Sequence, residues 1–112
     1  MSIGKPRDQL QGTLELLVLR TLATGDTMHG YGIAERIEEV SRDVLRVEEG
    51  SLYPALHRME RVGWVRSKWG RSENQRRAKF YTITAVGQRR LSEAREDWTR
   101  HVDAVRRVLR LA

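Results

Sequence analysis

The sequence predicts a mainly α-helical fold with a small β-hairpin and a long last helix. Three observations predict it: apolar residues recur at helical spacing in several stretches, two short stretches alternate apolar and polar residues around a polar interval, and the last stretch is long and free of proline. The chain has 112 residues and no cysteine. This length fits one domain with one hydrophobic core, and the composition excludes a disulfide framework or a thiolate metal site.

The first two helices are predicted from their apolar faces. The first covers residues 13–24 and ends at Gly25, and its apolar residues recur at i, i+3, i+4 and i+8: Leu14, Leu17, Val18 and Leu22. The second covers the run 29–43, with charged residues on one side and an apolar side made of Tyr31, Ala34, Ile37 and Val40. Both helices are therefore amphipathic, and we expect their apolar faces to share one core.

The third helix is predicted over residues 51–62. Its apolar face consists of Leu52, Ala55, Leu56, Met59 and Val62. Gly63 follows at the position where a helix often ends in a left-handed residue. Because Pro54 lacks a backbone N–H and is tolerated only near a helix start, the helix is expected to begin between residues 49 and 52.

A β-hairpin is predicted next. The stretches Trp64 to Trp69 and Phe80 to Ile83 alternate apolar and polar residues on either side of the polar interval 70–77. Trp64 and Trp69 occupy positions of opposite parity, so one should face the core and the other should be at least partly exposed. The hairpin therefore has a long basic tip.

The last helix is predicted over residues 85–111, with Thr84 as its N-cap. Its apolar residues step along one seam, which consists of Leu91, Ala94, Trp98, Val102, Val105, Val108 and Leu109. A helix of about 25 residues is roughly 38 Å long, which is longer than the body of so small a domain. We therefore expect part of the seam to pack against another chain.

Positive charge is concentrated in one segment. Residues 61–79 carry seven basic side chains and one acidic one. The net charge of this segment is therefore +6, which equals the net charge of the whole chain. Such an excess is typical of a surface that binds nucleic-acid phosphates, and a solvated surface loop is the alternative. No apolar stretch approaches the roughly 20 residues of a membrane span, and no apolar signal region begins the chain, so we expect a cytoplasmic protein.

The order of the elements, three helices followed by a basic hairpin, predicts a winged helix-turn-helix fold. In that fold the third helix enters the major groove of DNA and the hairpin lies on the flanking phosphates. The basic segment coincides with the end of the third helix and the hairpin. We therefore expect a DNA-binding domain over residues 1–84 and a C-terminal dimerisation helix over residues 85–112, together forming one compact unit.

Four stretches of the sequence resemble the PadR family of bacterial transcriptional regulators: LQGTLELLVLRTL, HGYGIAERI, GSLYPALHRMERVGWV and RRAKFYTITAVGQRRL. A single helix after the hairpin is similar to the short subfamily. The resemblance implies a homodimer formed mainly by the last helices, a pseudo-palindromic double-stranded DNA site and action as a repressor. The expected dimer interface comprises Leu10, Leu14, Leu17, Leu91, Ala94, Trp98, Val102, Val105, Val108 and Leu109.

Trp98 has two interpretations. The resemblance implies that some short members accept a planar aromatic small molecule between the last helices, where a tryptophan stacks on the ligand. Trp98 is the residue in a comparable helix here, and Ala94, Val102 and Val105 around it are small enough to leave a gap beside its ring. The other interpretation is that Trp98 anchors the dimer seam by packing.

Candidate DNA-binding residues lie on the third helix and the hairpin, with one on the second helix: Tyr31, Ser51, Tyr53, Pro54, His57, Arg58, Lys68, Arg71, Arg76, Arg77 and Lys79. Arg58 is expected to read guanine, whereas Ser51 and Tyr53 suit phosphates. In the alternative, Tyr53 packs on the core and Arg58 is solvated. Tyr31 contacts a phosphate or fastens the second helix to the third.

The sequence offers no residues for catalysis, a cofactor or a metal. His29, His57 and His101 lack metal-ligand spacing, and Ser51 lies outside any GxSxG motif. Besides a regulator, the sequence is compatible with a protein-interaction function in which the basic hairpin is incidental, or with a DNA-binding module that has no effector pocket. A salt titration of duplex binding separates the first of these from a DNA-binding protein.

Overall fold

The computed structural model describes the backbone of residues 6–24 and 26–111, and the side chains of residues 12–24 and 26–110. This part of the chain forms four helices and three strands: α1 (Pro6–Ala23), β1 (Met28–His29), α2 (Gly30–Val40), α3 (Glu49–Arg61), β2 (Val65–Arg71), β3 (Arg77–Ile83) and α4 (Ala85–Leu111). The predicted fold class, mainly helical with a small sheet and a long last helix, is confirmed. The structure starts the first helix at Pro6 instead of residue 13. The mostly polar residues before the apolar stripe are also helical, but they do not continue the apolar pattern from which the helix was predicted.

The three strands form one antiparallel sheet in the order β1-β3-β2. Strands β2 and β3 pair along their whole length, from Val65 with Ile83 to Arg71 with Arg77. This hairpin, with its turn at residues 72–76, is called the wing below. Its strands are longer than the alternation predicted, so its unpaired tip is shorter. Strand β1 was not predicted because two residues are too few to form an alternating pattern.

The core is built from all four helices and the sheet: Val18, Leu19, Leu22, Ile33, Ile37, Leu52, Leu56, Met59, Val65, Tyr81 and Leu91. The predicted apolar faces of α1 and α3 point into it, with two differences: Val62 follows the end of α3 and is 50% exposed, and Leu19 of α1 is buried although it was not predicted. The predicted face of α2 was wrong in part, because Ile33 is fully buried while Tyr31 and Val40 are exposed. Ile33 and Ile37, one helical turn apart, form the buried face of α2, because together they bury more apolar surface than the predicted face with Tyr31 and Val40 would.

The end of α3 confirms the predicted role of Gly63. Its φ is +82°, and it follows the last helical turn as the residue in the left-handed region. The N–H of Gly63 donates to the carbonyl of Glu60, and the N–H of Trp64 donates to the carbonyl of Met59 at 2.9 Å. This pair of bonds is a Schellman motif, which satisfies helix-end carbonyls and turns the chain directly into β2.

The start of α4 is fastened to the same turn. The Thr84 hydroxyl accepts a hydrogen bond from the N–H of Gly87 at 3.0 Å, which confirms Thr84 as the N-cap, and it lies 2.6 Å from the carbonyl of Gly63. A Cβ on Gly87 would lie 2.1 Å from the carbonyl oxygen of Trp64. The first turn of α4 therefore packs directly on the backbone that joins α3 to β2.

Beyond this junction, α4 extends away from the body of the protein. Its 27 residues correspond to about 40 Å, and the molecule measures 54 × 29 × 24 Å. Leu91 is buried, but from residue 95 to residue 110 every side chain is exposed except the half-buried Val102. Within the described part of the chain, no helix combines the length and hydropathy that a membrane span requires.

Candidate nucleic-acid interface

One cleft brings together α2, α3 and the wing. Its volume is about 1040 Å³, and four residues predicted to bind DNA line it on opposite sides: Tyr31 and Tyr53 from the helices, and Arg76 and Arg77 from the wing. His57 and Lys79 also line it. The tertiary fold therefore gathers residues that are up to about 50 positions apart in the sequence.

Helix α3 presents one face to solvent beside this cleft. Ser51, Tyr53, Pro54 and His57 are exposed, opposite the buried face that begins with Leu52. The Tyr53 ring lies against the start of α2, where a Cβ on Gly30 would approach its Cε1 atom to 2.7 Å. Tyr53 is still 39% exposed. It packs partly on α2 and keeps an edge in the cleft.

The N-terminus of α2 opens toward the same cleft. His29 caps the helix, because its Nδ1 atom accepts a hydrogen bond from the N–H of Gly32 at 3.0 Å. Tyr31 is 63% exposed, so it stands in the cleft and does not fasten α2 to α3. Uncapped N–H groups at a helix N-terminus attract anions, so this end of α2 suits a phosphate.

Arg58 lies elsewhere. Its guanidinium forms an ion pair with Glu15 of α1, with distances of 3.0 Å from Nη2 and 3.2 Å from Nε to the Oε2 atom. The side chain is only 29% exposed and does not line the cleft. In this structure Arg58, which was predicted to read guanine, joins α3 to α1 through Glu15 and lies outside the cleft. The helical wheel could not reveal this, because Glu15 is remote in the sequence.

The two faces of the wing divide its basic residues. Trp69 pairs with Lys79, and Arg71 pairs with Arg77, on one face of the wing, and of these four residues Trp69, Arg77 and Lys79 line the cleft. Lys68 precedes Trp69 in β2, so it lies on the other face of the wing, opposite Phe80. It lines a second groove of about 610 Å³. The structure therefore separates Lys68 from the predicted residues that line the cleft, and it places Arg71 beside Lys68 along this second groove.

Glu60 near the end of α3 holds both strands of the wing. The Ser67 hydroxyl of β2 donates to its Oε2 atom at 2.6 Å, and the Lys79 ammonium of β3 lies 3.5 Å from its Oε1 atom. Burial raises the pKa of the Tyr81 phenol, and Glu60 and Tyr53 raise it further, so this core hydroxyl stays neutral. Sequence reasoning missed Glu60 because an acidic residue in a basic region carries no signal of its own.

The tip of the wing is closed by local hydrogen bonds. Nη1 of Arg71 donates to the carbonyl of Gln75 at 3.1 Å, and Gln75 has a φ of +62°. The Ser72 hydroxyl accepts from the N–H of Arg76 at 3.3 Å. The side chain of Arg76 is exposed at this tip. Arg71 is thus partly engaged in shaping the turn, whereas Arg76 projects from it.

Trp69 and Arg36 are among the lining residues of the cleft that were not predicted to bind DNA. Trp69 is 52% exposed, and the Cζ atom of Arg77 lies 4.2 Å from the centroid of its ring. Trp64 packs against the core instead, so the predicted difference between the two tryptophans is confirmed. Arg36, on the exposed side of α2, also lines the cleft. Arg36 was not predicted because acidic residues surround it in the sequence.

The residues predicted for a dimer interface fall into three groups. Leu91 is buried in the protein's own core, and Leu14 and Leu17 pack partly against it, so Leu91 is not available to a partner. Leu10 lies outside the residues whose side chains the structure describes. The remaining members lie along α4, where Ala94 and Val102 are half-buried and four large side chains are exposed: Trp98, Val105, Val108 and Leu109.

Trp98 borders a recess between α1 and α4. The recess has a volume of about 220 Å³ and is lined partly by Leu16 and Ala94. The Trp98 ring lies 5.8 Å, centroid to centroid, from the ring of His101. Trp98 is 45% exposed, so one side of its ring has no cover within the described chain.

Comparison with known proteins agrees with this architecture. A transcriptional regulator from Clostridium thermocellum has a TM-score of 0.79 and 26% identity, over 89% of this chain and 96% of that one. A PadR family transcriptional regulator from Eggerthella lenta has a TM-score of 0.74 and 29% identity, over 92% of this chain and 88% of that one. A PadR-like transcriptional regulator from Bacillus cereus has a TM-score of 0.73 and 26% identity, over 91% and 96% of the two chains.

Sequence comparison gives the same result. An uncharacterized protein from Lysinibacillus sphaericus is 28% identical over 91 residues, which are 81% of this chain and 83% of that protein. The family model described as the transcriptional regulator PadR-like family matches residues 18–93, from the buried part of α1 to the first turns of α4. This match covers more than half of the chain, including α2, α3 and the whole wing. The chain therefore belongs to the PadR-like family of transcriptional regulators.

Proposed function

We propose that the protein is a homodimeric, sequence-specific DNA-binding repressor of transcription. The observation that carries the proposal is the cleft, in which the exposed face of α3 and the arginines of the wing lie on either side of a space about 1040 Å³ in volume. Residues 1–84 would form the DNA-binding domain and residues 85–112 the dimerisation helix. The protein would act on DNA in the cytoplasm and catalyse no reaction.

The two sides of the cleft suit different parts of DNA. Pro54 and His57 on α3 are exposed and can reach base edges in the major groove, and the exposed Ser51 and Tyr53 of the same helix suit phosphates. Arg76 and Arg77 on the wing suit the phosphates of the adjacent backbone. The α3 side would therefore discriminate sequences, and the wing would supply affinity for any sequence.

Dimerisation is supported by the apolar seam of α4. Val105, Val108 and Leu109 are exposed at 43%, 64% and 68%, and they project from the part of α4 that extends past the body. A second copy would cover them by pairing two seams around a two-fold axis. Such a dimer carries two α3 helices and would bind a pseudo-palindromic site.

Replacing the two wing arginines tests the DNA-binding proposal. Arg76→Ala with Arg77→Ala is expected to weaken binding to every duplex sequence and to make the slope of log affinity against log salt shallower by about 1 to 2, because each lost phosphate contact removes about 0.9 from the slope. The measurement is a salt titration with a mixed-sequence duplex.

Arg89→Ala with Arg107→Ala is the matched control. It removes the same charge from the exposed side of α4, outside the cleft, and should change the slope much less. A wing variant that keeps the slope of the wild type would show that the wing does not contact the phosphates.

An effector that binds beside Trp98 is a further part of the proposal. It is supported by the half-exposed Trp98 ring at the edge of its recess and by the family to which the chain belongs. In a variant with Trp64→Phe and Trp69→Phe, Trp98 is the only tryptophan. Planar aromatic cations or phenols should quench its fluorescence, and the same concentrations should release DNA from the wild type. If no compound of a broad panel does either, the protein is a DNA-binding module without an effector pocket.

A further inference from the structure

The indole of Trp69 stands on the cleft face of the wing with half of its surface exposed. It is too far along the hairpin to join the core, which the wing reaches through Val65 and Tyr81. Its neighbour is the guanidinium of Arg77, whose Cζ atom lies 4.2 Å from the ring centroid. Trp69 and Arg77 are diagonal neighbours on one face of paired strands, a relation in which long side chains meet.

The other cations on this face already have acceptors in the protein. Lys79 lies 3.5 Å from the Glu60 carboxylate, and Arg71 donates to the carbonyl of Gln75. Among the described residues, the side chain of Arg77 makes no hydrogen bond or ion pair, and its partner is the face of the indole. Arg77 therefore keeps its hydrogen-bond donors for a ligand, whereas Lys79 and Arg71 have lost part of theirs.

Stacking on an aromatic ring suits an arginine that must bind a phosphate. The ring occupies one face of the planar guanidinium and leaves the N–H groups in the plane of the fork free. Those N–H groups can donate two parallel hydrogen bonds to one phosphate. Because the stack already restricts the rotamers of the arginine, binding loses less conformational entropy.

We propose that Trp69 is a positioning residue for DNA binding, which holds the Arg77 guanidinium flat and ready for a bidentate contact with a backbone phosphate in the cleft. This inference rests on the proposed function and deepens it. It also assigns unequal roles to the wing cations: Arg77 is the principal phosphate contact on this face, and Lys79 mainly fastens the wing to α3 through Glu60.

A double-mutant cycle tests the inference with a mixed-sequence duplex as the probe. Trp69→Leu keeps apolar bulk but removes the aromatic face, and it should weaken binding about 2- to 5-fold. Trp69→Phe keeps a ring and should recover part of the affinity. In an Arg77→Gln background, Trp69→Leu should cause no further loss. The matched cycle of Trp69→Leu with Lys68→Gln should show additive effects, because Lys68 lies on the other face of the wing, whereas Lys79 faces the same indole at 5.7 Å and is not a suitable control.

A second readout needs no DNA. In the free protein, the side-chain N–H signal of Arg77 in a ¹⁵N-edited NMR spectrum should be shifted by the ring current of the indole, and Trp69→Leu should abolish this shift while the backbone signals of α3 stay in place. An Arg77 signal that is the same in both proteins would overturn the inference. Equal thermal stability of the variants would show that the fold is unchanged.

The outcomes separate the inference from the proposed function. A wild-type protein that shows no salt-dependent binding to duplex DNA would refute the proposed function itself. If the Trp69→Leu variant binds DNA as tightly as the wild type does, the inference alone is refuted. If Trp69→Leu still weakens binding in the Arg77→Gln background, the indole contacts DNA directly and the positioning role is wrong.

Discussion

A variant carrying Val105→Lys and Leu109→Lys is expected to be a monomer and to lose tight DNA binding. Both side chains lie on the exposed apolar seam of α4. In a two-fold dimer each substituted position occurs twice, so four lysines would lie in an interface that excludes water. Burying these like charges costs far more free energy than the apolar side chains contribute at these positions. Sedimentation should therefore give the mass of one chain, and duplex binding should weaken at least 10-fold, because only one α3 reaches the DNA at a time.

Glu96→Gln with Asp103→Asn is the control for the change in charge. It raises the net charge by the same amount as the two lysines, but helical spacing places both residues on the side of α4 opposite Trp98, where they are exposed. This variant should remain a dimer and bind DNA at least as well as the wild type. A Val105→Lys, Leu109→Lys protein that is fully dimeric would refute the proposed interface.

Gly87→Ala is expected to destabilise the fold by about 3 kcal/mol. The new Cβ would lie 2.1 Å from the backbone oxygen of Trp64 and 2.8 Å from Cγ1 of Ile83, so α4 would have to move away from the turn after α3. Inserting an atom into a packed site usually costs about 1–3 kcal/mol, and a clash with backbone falls at the upper end because backbone yields less than a side chain. Denaturant unfolding at equal protein concentration measures the change.

Gly50→Ala is the matched control for the glycine substitution. Gly50 is also helical, but nothing lies within 4 Å of the position that its Cβ would occupy. The alanine should leave stability unchanged or raise it by up to about 1 kcal/mol, because alanine is the better helix former. If both variants were equally stable, the close packing of α4 on the turn would not contribute to the fold.

Much of the fold could be predicted because its elements carry local signals. The bounds of α4, the role of Gly63 as the helix stop and the role of Thr84 as the N-cap all follow from short-range chemistry, and the structure confirms them. The face of α2 was harder, because the run contains both Ile33 and Tyr31 at spacings that a helix could bury. Tertiary packing, which favoured Ile33, decided between them.

The candidate site was less predictable because it depends on long-range contacts. Arg58 is engaged by Glu15, a partner 43 residues away, and no spacing rule connects them. Lys68 is a different case, since strand alternation from the buried Val65 would already have placed it on the other face from Trp69. The face on which Lys68 lies could therefore have been predicted from the sequence, but a count of basic residues takes no account of strand alternation.

The junction at Thr84 and Gly87 joins α4 directly to the body formed by α1, α2, α3 and the wing. No linker separates them, so in the proposed dimer the distance between the two α3 helices depends on the angle at which the two α4 helices cross. An arm of about 40 Å swings its far end by roughly 7 Å for a rotation of 10°, and one base-pair step of DNA is about 3.4 Å. Small repacking at the seam would thus shift the protein by about two base pairs relative to its operator. In the proposed dimer, a change at the seam would therefore alter DNA binding without any change in the residues of the cleft.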